Sequence, residues 1–379
     1  MSRLTVRQSV LLALGALCGT CSLACSSYNG GSSNSDTSEV AVGREAIIYG
    51  TDDRVDLESY PDAKIRDLGL RLVGALISRE YVQSLPDGSY ALNGPTLGQR
   101  LDLCPEEPDL DEPSLSHCTA VLAENNTAIT AGHCVDEQTK GDSVFVQGYL
   151  AGVTLGPVDA DRVHSIVRVL SWHNGDIDSD SGNDFAIVEL DSADKLPALA
   201  FAAPPPLIET GEAVVVVGTS EGLPVRAEAG GKVYDASPAD YFEVSSDTFQ
   251  GGSGSAVFTA SGEYAGVLVG GSPDYTWDDE RKCSLRRRLD APAERGELVV
   301  RATVIEAALE SALRDAGEKP ACSLRPARGN PRGVAFGAGL IFLAGGWRRS
   351  RRRRWDVDDS KVSASWFVRG SRLRTCPDR

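Results

Sequence analysis

The sequence of 379 residues predicts an all-β fold of the barrel type. Three observations point there. Short alternating apolar runs recur through the middle of the chain, at Ser143–Gln147, Ser165–Leu170, Phe185–Leu190, Ala213–Gly218 and Ala265–Gly270. Turn-forming residues separate them, the spacing expected of strands folded back on one another in a barrel. Val304–Leu313, late in the chain, carries its apolar residues at helical spacing and predicts a short closing helix.

Taken in order, the first 24 residues have the features of an export signal. Arg3 and Arg7 precede the apolar run Val10–Leu17, and small residues lead to Ala24. That run is too short to span a bilayer as a helix. Cleavage after Ala24 would make Cys25 the first residue, which leaves lipidation open beside plain signal-peptidase cleavage; Ser22 stands where a lipobox carries Leu. Residues 25–46 hold too few apolar groups to pack and predict a flexible linker or propeptide. The folded domain is expected over 47–315. Within it, Leu68–Ile77 has strand-like apolar content, and Leu85–Gly98, rich in Pro and Gly, predicts a surface insertion.

Composition narrows the partners. The formal net charge is −16, yet Pro320 onward carries fourteen Lys/Arg against four Asp/Glu, a net of +10, which leaves −26 for residues 1–319. An acidic body argues against nucleic acid, because neutralising phosphates requires clustered Lys and Arg. Asp176, Asp178 and Asp180 suggest a calcium loop, but that pattern wants Gly at its sixth place and Glu at its twelfth, where Ser181 and Ile187 stand. The expectation is a solvated acidic loop, with no metal and no cofactor.

The chemistry concentrates in three motifs. In Asp247-Thr-Phe-Gln-Gly251-Gly252-Ser253-Gly254-Ser255, glycines flank a serine and leave the N–H groups of Gly251 and Ser253 free to converge on one small space. Upstream, Cys118-Thr-Ala-Val-Leu122, a polar turn at Glu124-Asn125-Asn126 and Thr130-Ala-Gly-His133-Cys134 bring a second strand to a histidine. Between these motifs, Asp184 opens the apolar run that ends at Leu190. A serine hydroxyl needs a base to take its proton and donors for the oxyanion, and these residues could supply both. His117, His164 and His173 lack comparable surroundings.

In the order His, Asp, Ser, these motifs resemble the chymotrypsin-like serine peptidases over roughly residues 47–310. The resemblance implies a double six-stranded antiparallel β-barrel with a short C-terminal helix, a polypeptide substrate and the triad His133, Asp184 and Ser253, with an oxyanion hole at Gly251 and Ser253. Ile47–Arg54 and Asp247-Thr248-Phe249 resemble the bacterial glutamyl endopeptidase branch. There, processing near Arg44–Ala46 would free an N-terminus close to the substrate pocket. In the trypsin branch an Asp immediately before the serine pairs with the new N-terminus; here that place holds Gly252. Asp247, Thr248 and Leu268 fall at specificity-pocket positions. Leu268 stands where the glutamyl branch has a carboxylate-binding histidine, and Asp247 stands where trypsin-like enzymes have their pocket aspartate, so the preference stays open. Four of the nine cysteines lie in the domain: Cys118 with Cys134 would hold the histidine loop, and Cys104 with Cys283 follows by elimination.

The C-terminal stretch has a linker over 316–332, the uncharged run 333–347, and an arginine cluster from Arg348 within the tail 348–379. Cys322-Ser323, the apolar run and the arginines resemble a myxobacterial-type sorting tail, which implies attachment to the membrane or cell surface, or release as a secreted enzyme. The competing class of function is a surface binding module that keeps the barrel without catalysis; the oligomeric state is not legible.

Overall fold

The computed structural model describes residues 48–317 apart from 153–155, 176–182, 272 and 290–295. These residues lie within the unit formed by residues 43–379. The expected export signal, the linker over 25–46, Asp176, Asp178 and Asp180, and nearly all of the C-terminal stretch fall outside them.

Six antiparallel strands close a first barrel, in the order Asp184–Leu190, Thr127–Thr130, Ser116–Ala123, Val73–Ser78, Ser143–Gln147 and Val163–Asn174. Its central hairpin turns through Asn125 and Asn126 at φ 58° and 56°. Asparagine tolerates that left-handed backbone because its short side chain can bond locally. A second sheet runs Val233–Asp235, Tyr241–Val244, Glu297–Arg301, Tyr264–Gly270, Ala256–Thr259 and Val214–Gly218, then extends through Arg226–Glu228 to Arg54–Asp56. A bridge from Ala213 to Lys232 joins the sixth strand back to the first. The all-β double-barrel expectation therefore holds.

Both faces of the central strands are covered. Along Val214–Gly218, Val215 and Val217 enter the large core shared with the closing helix, while Val214 and Val216 pack inside the second sheet with Phe242 and Val257. This is why the run reads Val-Val-Val-Val rather than alternating with polar residues. Helix α3, Ala302–Asp315, buries Ile305, Leu309 and Leu313 and closes the fold.

Two local expectations are corrected. The segment read as strand over Leu68–Ile77 is helix α1, Ala63–Leu72, followed by the strand Val73–Ser78. Asp62 caps the helix by accepting from the N–H groups of Lys64 and Ile65, and Ile65, Gly69 and Leu72 form its buried stripe. The insertion over 85–98 is also more ordered than expected. Val82–Ser84 pairs with Tyr90–Leu92, and helix α2, Leu97–Leu101, starts at a capping box between Thr96 and Gln99. Among the described residues no helix is long and apolar enough to cross a membrane; the run 333–347 lies outside them.

Candidate active site

Sheet register brings the histidine and the aspartate together. Thr130 stands opposite Ala186, so Asp184, two residues earlier on the antiparallel partner, comes level with the chain just past Thr130. There Gly132–Cys134 forms a single 3-10 turn. Asp184 is buried and grips this turn twice: Oδ1 accepts from the His133 main-chain N–H at 2.9 Å, and Oδ2 lies 2.6 Å from Nδ1. The Trp172 indole N–H donates to the Gly132 carbonyl at 2.8 Å and pins the turn from outside. An imidazole that donates from Nδ1 to Asp184 keeps its proton there and leaves Nε2 unprotonated. The ring's outer edge is open, with the His133 side chain 39% exposed.

Ser253 approaches from the second barrel. Its carbonyl accepts from the Thr119 N–H at 2.8 Å and lies 3.9 Å from the Cys134 sulfur, next to His133 in sequence. A disulfide joins Cys118 to Cys134 and ties the histidine turn to the strand that receives Ser253. Cys118, His133 and Cys134 present donor atoms within 4.8 Å of one another, but the two sulfurs are bonded to each other and offer no thiolate. Cys104 and Cys283 form the second bridge. No hydrogen bond joins the Ser253 hydroxyl to His133 among the described residues; such bonds are often long in a free enzyme and tighten around substrate.

The turn before the serine exposes two donors. Among the described residues neither the Gly251 nor the Ser253 N–H has an acceptor, while neighbouring groups are satisfied: Gly252 N–H donates to Phe249 O and Gly254 N–H to Leu268 O. The Gly251 carbonyl is turned away and accepts from the Thr219 hydroxyl at 3.0 Å. Two unpaired N–H groups, those of Gly251 and of the half-buried Ser253, can receive a developing oxyanion.

The positions expected to set specificity are all buried: Asp247, Thr248 and Leu268 are 2%, 2% and 3% exposed. Asp247 is engaged by the N-terminal segment, with Oδ1 accepting from Tyr49 N–H at 2.6 Å and Oδ2 from Asp53 N–H at 3.0 Å. Burial pushes its carboxyl up to about 6, against those two N–H donors. Leu268 bonds through its backbone to the two residues after Ser253, accepting from Gly254 N–H and donating to Ser255 O. Sequence reading missed Glu297, a buried carboxylate whose Oε1 accepts from the Tyr49 hydroxyl at 3.2 Å.

Beside this cluster, Glu228 is 3% exposed and bonded by the Ser246 hydroxyl. Burial pushes its carboxyl up to about 8, with the charges of Asp247 and Asp53 adding to the rise. The folded protein thus holds a proton that the unfolded chain releases near its ordinary value, so stability falls as pH rises from that value through about 8. Glu228→Gln is expected to flatten this slope and to raise the melting temperature at pH 9 by about 3–6 °C. Thermal unfolding at pH 5 and pH 9 checks it; an unchanged slope would show that Glu228 is ionised in the fold.

Residues 118–267 match the family model described as a trypsin-like peptidase domain. Over those residues the chain is similar to trypsin-like peptidase domains. The match spans His133, Asp184 and Ser253. No curated protein matches the chain. Among solved structures, the peptidase domain is similar to a serine endoprotease from Yersinia pestis, at 14% identity and TM-score 0.41, covering 68% of this chain and 69% of that one. The VesB protease of Vibrio cholerae is 16% identical at TM-score 0.41, covering 70% and 67%. A Glu endopeptidase is 14% identical at TM-score 0.40, covering 70% and 99%.

Proposed function

We propose that the protein is an exported serine endopeptidase that cleaves peptide bonds through an acyl-enzyme on Ser253. In this reading His133, oriented by Asp184, takes the Ser253 proton as the hydroxyl attacks the scissile carbonyl. The N–H groups of Gly251 and Ser253 hold the oxyanion. His133 then protonates the leaving amine, and water resolves the acyl-enzyme by the same proton transfers in reverse.

The observation that carries the reading is the double grip of Asp184 on His133, through main chain and ring together. A histidine kept only for packing has no need of a buried carboxylate that fixes both its position and its tautomer. Two disulfides support a protein that matures in an oxidising compartment. Export through residues 1–24 and retention at the cell surface through residues 333–354 complete the proposal.

A fluorophosphonate probe tests it, since such reagents react only with a serine whose base and oxyanion donors act together. Incubation with the purified protein is expected to leave one adduct, mapped by peptide mass spectrometry to Ser253. Folded protein that takes up no label at Ser253 would instead be a binding module on a peptidase scaffold.

A further inference from the structure

The N-terminal segment reaches the serine loop by a second route, and this route bears on the oxyanion turn. Arg54, only 2% exposed at its side chain, donates from Nη1 to Glu221 Oε2 at 2.9 Å and forks onto Asp52 through Nε and Nη2, at 2.9 and 2.7 Å. Glu221 is fully buried; it also accepts from Arg286 Nε at 2.7 Å, Arg286 Nη2 at 2.8 Å and the Tyr275 hydroxyl at 2.8 Å. A lone buried carboxylate would be costly, and two guanidinium groups and a phenol make this one tolerable.

The cluster encloses the residues immediately before the oxyanion donors. The Phe249 ring carries the Arg54 guanidinium 4.5 Å from its centroid, and that of Arg286 lies at 5.8 Å. Glu221 N–H donates to Gln250 O at 2.6 Å, and Gln250 N–H donates to Asp274 Oδ2 at 2.9 Å. Gln250 is thus held through both its N–H and its C=O, and that C=O belongs to the peptide that presents the Gly251 N–H. Glu221 itself sits at φ 60°, a left-handed backbone that a non-glycine residue adopts only when its surroundings demand it. The same segment is fastened at the start of the serine loop by the two N–H bonds to Asp247, and its Arg54–Asp56 strand extends the second sheet.

We infer that Arg54 is a positioning residue for the oxyanion turn: delivered by the Asp247-bound segment, its guanidinium completes the cluster with Glu221 and Arg286 that holds Phe249 and Gln250 in place. Gly252 leaves the loop without an acidic residue beside the serine to anchor it from within. An arginine arriving from outside the loop supplies that anchor. The inference rests on the serine peptidase reading of Ser253.

The test compares Arg54→Met and Arg54→Lys with the wild-type full chain, using a peptide ester substrate and a peptide aldehyde, whose hemiacetal oxygen occupies the oxyanion site. Arg54→Met is expected to lower kcat about 100-fold with KM within threefold, because a small misplacement of an oxyanion donor costs that much. Aldehyde affinity should fall by a similar factor. Arg54→Lys keeps the charge but loses the fork and the flat stacking face, and is expected to lose about tenfold in kcat. Arg71→Met, which removes an exposed ion pair with Asp67, should leave both values unchanged. Folded Arg54→Met with wild-type kcat, or with lowered kcat but undiminished aldehyde affinity, overturns the inference. If Arg54→Met does not fold, wild-type values in Arg54→Lys overturn it. A wild-type protein that neither cleaves nor labels overturns the peptidase reading itself and this inference with it, an outcome distinct from active wild type matched by active variants.

Discussion

Replacing Asp184 with Asn is expected to lower kcat about 10⁴-fold while KM and the melting temperature stay close to wild type. The size follows from which atom faces which. The His133 main-chain N–H can only donate, so the amide oxygen of an asparagine must take the place of Oδ1 opposite it. The amide nitrogen then occupies the Oδ2 place, 2.6 Å from Nδ1, and donates where the carboxylate accepted. Nδ1 must become the acceptor, which moves the imidazole proton to Nε2. A ring protonated at Nε2 has no lone pair there for the Ser253 proton. Little volume changes at this buried site, so the fold is kept while the tautomer is lost. Steady-state kinetics on a peptide ester, with fluorophosphonate labelling rates in parallel, checks this; activity within tenfold of wild type would mean that His133 does not serve as the base.

What the sequence disclosed depended on how local its signals were. The hairpin Ser116–Thr130, the Asp184–Leu190 strand and the closing helix are encoded in contiguous runs, and each is read from side-chain periodicity alone. Helix α1 was obscured because Leu68, Leu70 and Leu72 alternate like a strand; its signal was the Asp62 cap and the wider spacing of Ile65, Gly69 and Leu72. Helix α2 had a legible capping box at Thr96 and Gln99, masked by the Pro and Gly around it. The Arg54, Glu221 and Arg286 cluster had no such signal. Its members come from three separate parts of the chain, and an arginine that will be buried looks in sequence like any surface arginine. Asp247 is a similar case: its offset from Ser253 gave no sign that its two oxygens hold the backbone of the N-terminal segment.

The motif glycine after the serine is expected to be among the least replaceable residues. Gly254→Ala should destabilise the protein by about 3 kcal/mol or more, lowering the melting temperature by about 10 °C, through strain and collision together. Gly254 sits at φ 90°, outside the range comfortable for an L side chain. A Cβ there would also lie 1.9 Å from the Thr119 carbonyl oxygen and 2.6 Å from Thr130 Oγ1. Thr119 O belongs to the first barrel, fixed further by the Thr130 hydroxyl at 2.7 Å, so it is backbone that cannot swing aside as a side-chain tip would. The serine loop must retreat instead, and retreat breaks the Thr119 N–H bond to Ser253 O that holds the two barrels together at this serine. Labelling of Ser253 is therefore expected to slow at least about 100-fold even at temperatures where the variant is folded. Gly211→Ala separates the two causes: Gly211 has φ 91° but nothing within 4 Å of a Cβ, so it carries the strain without the collision. Its cost is expected near 1 kcal/mol with labelling unchanged. Equal losses in the two variants would assign the whole effect to backbone strain and remove close packing between the barrels as the reason for a glycine beside Ser253.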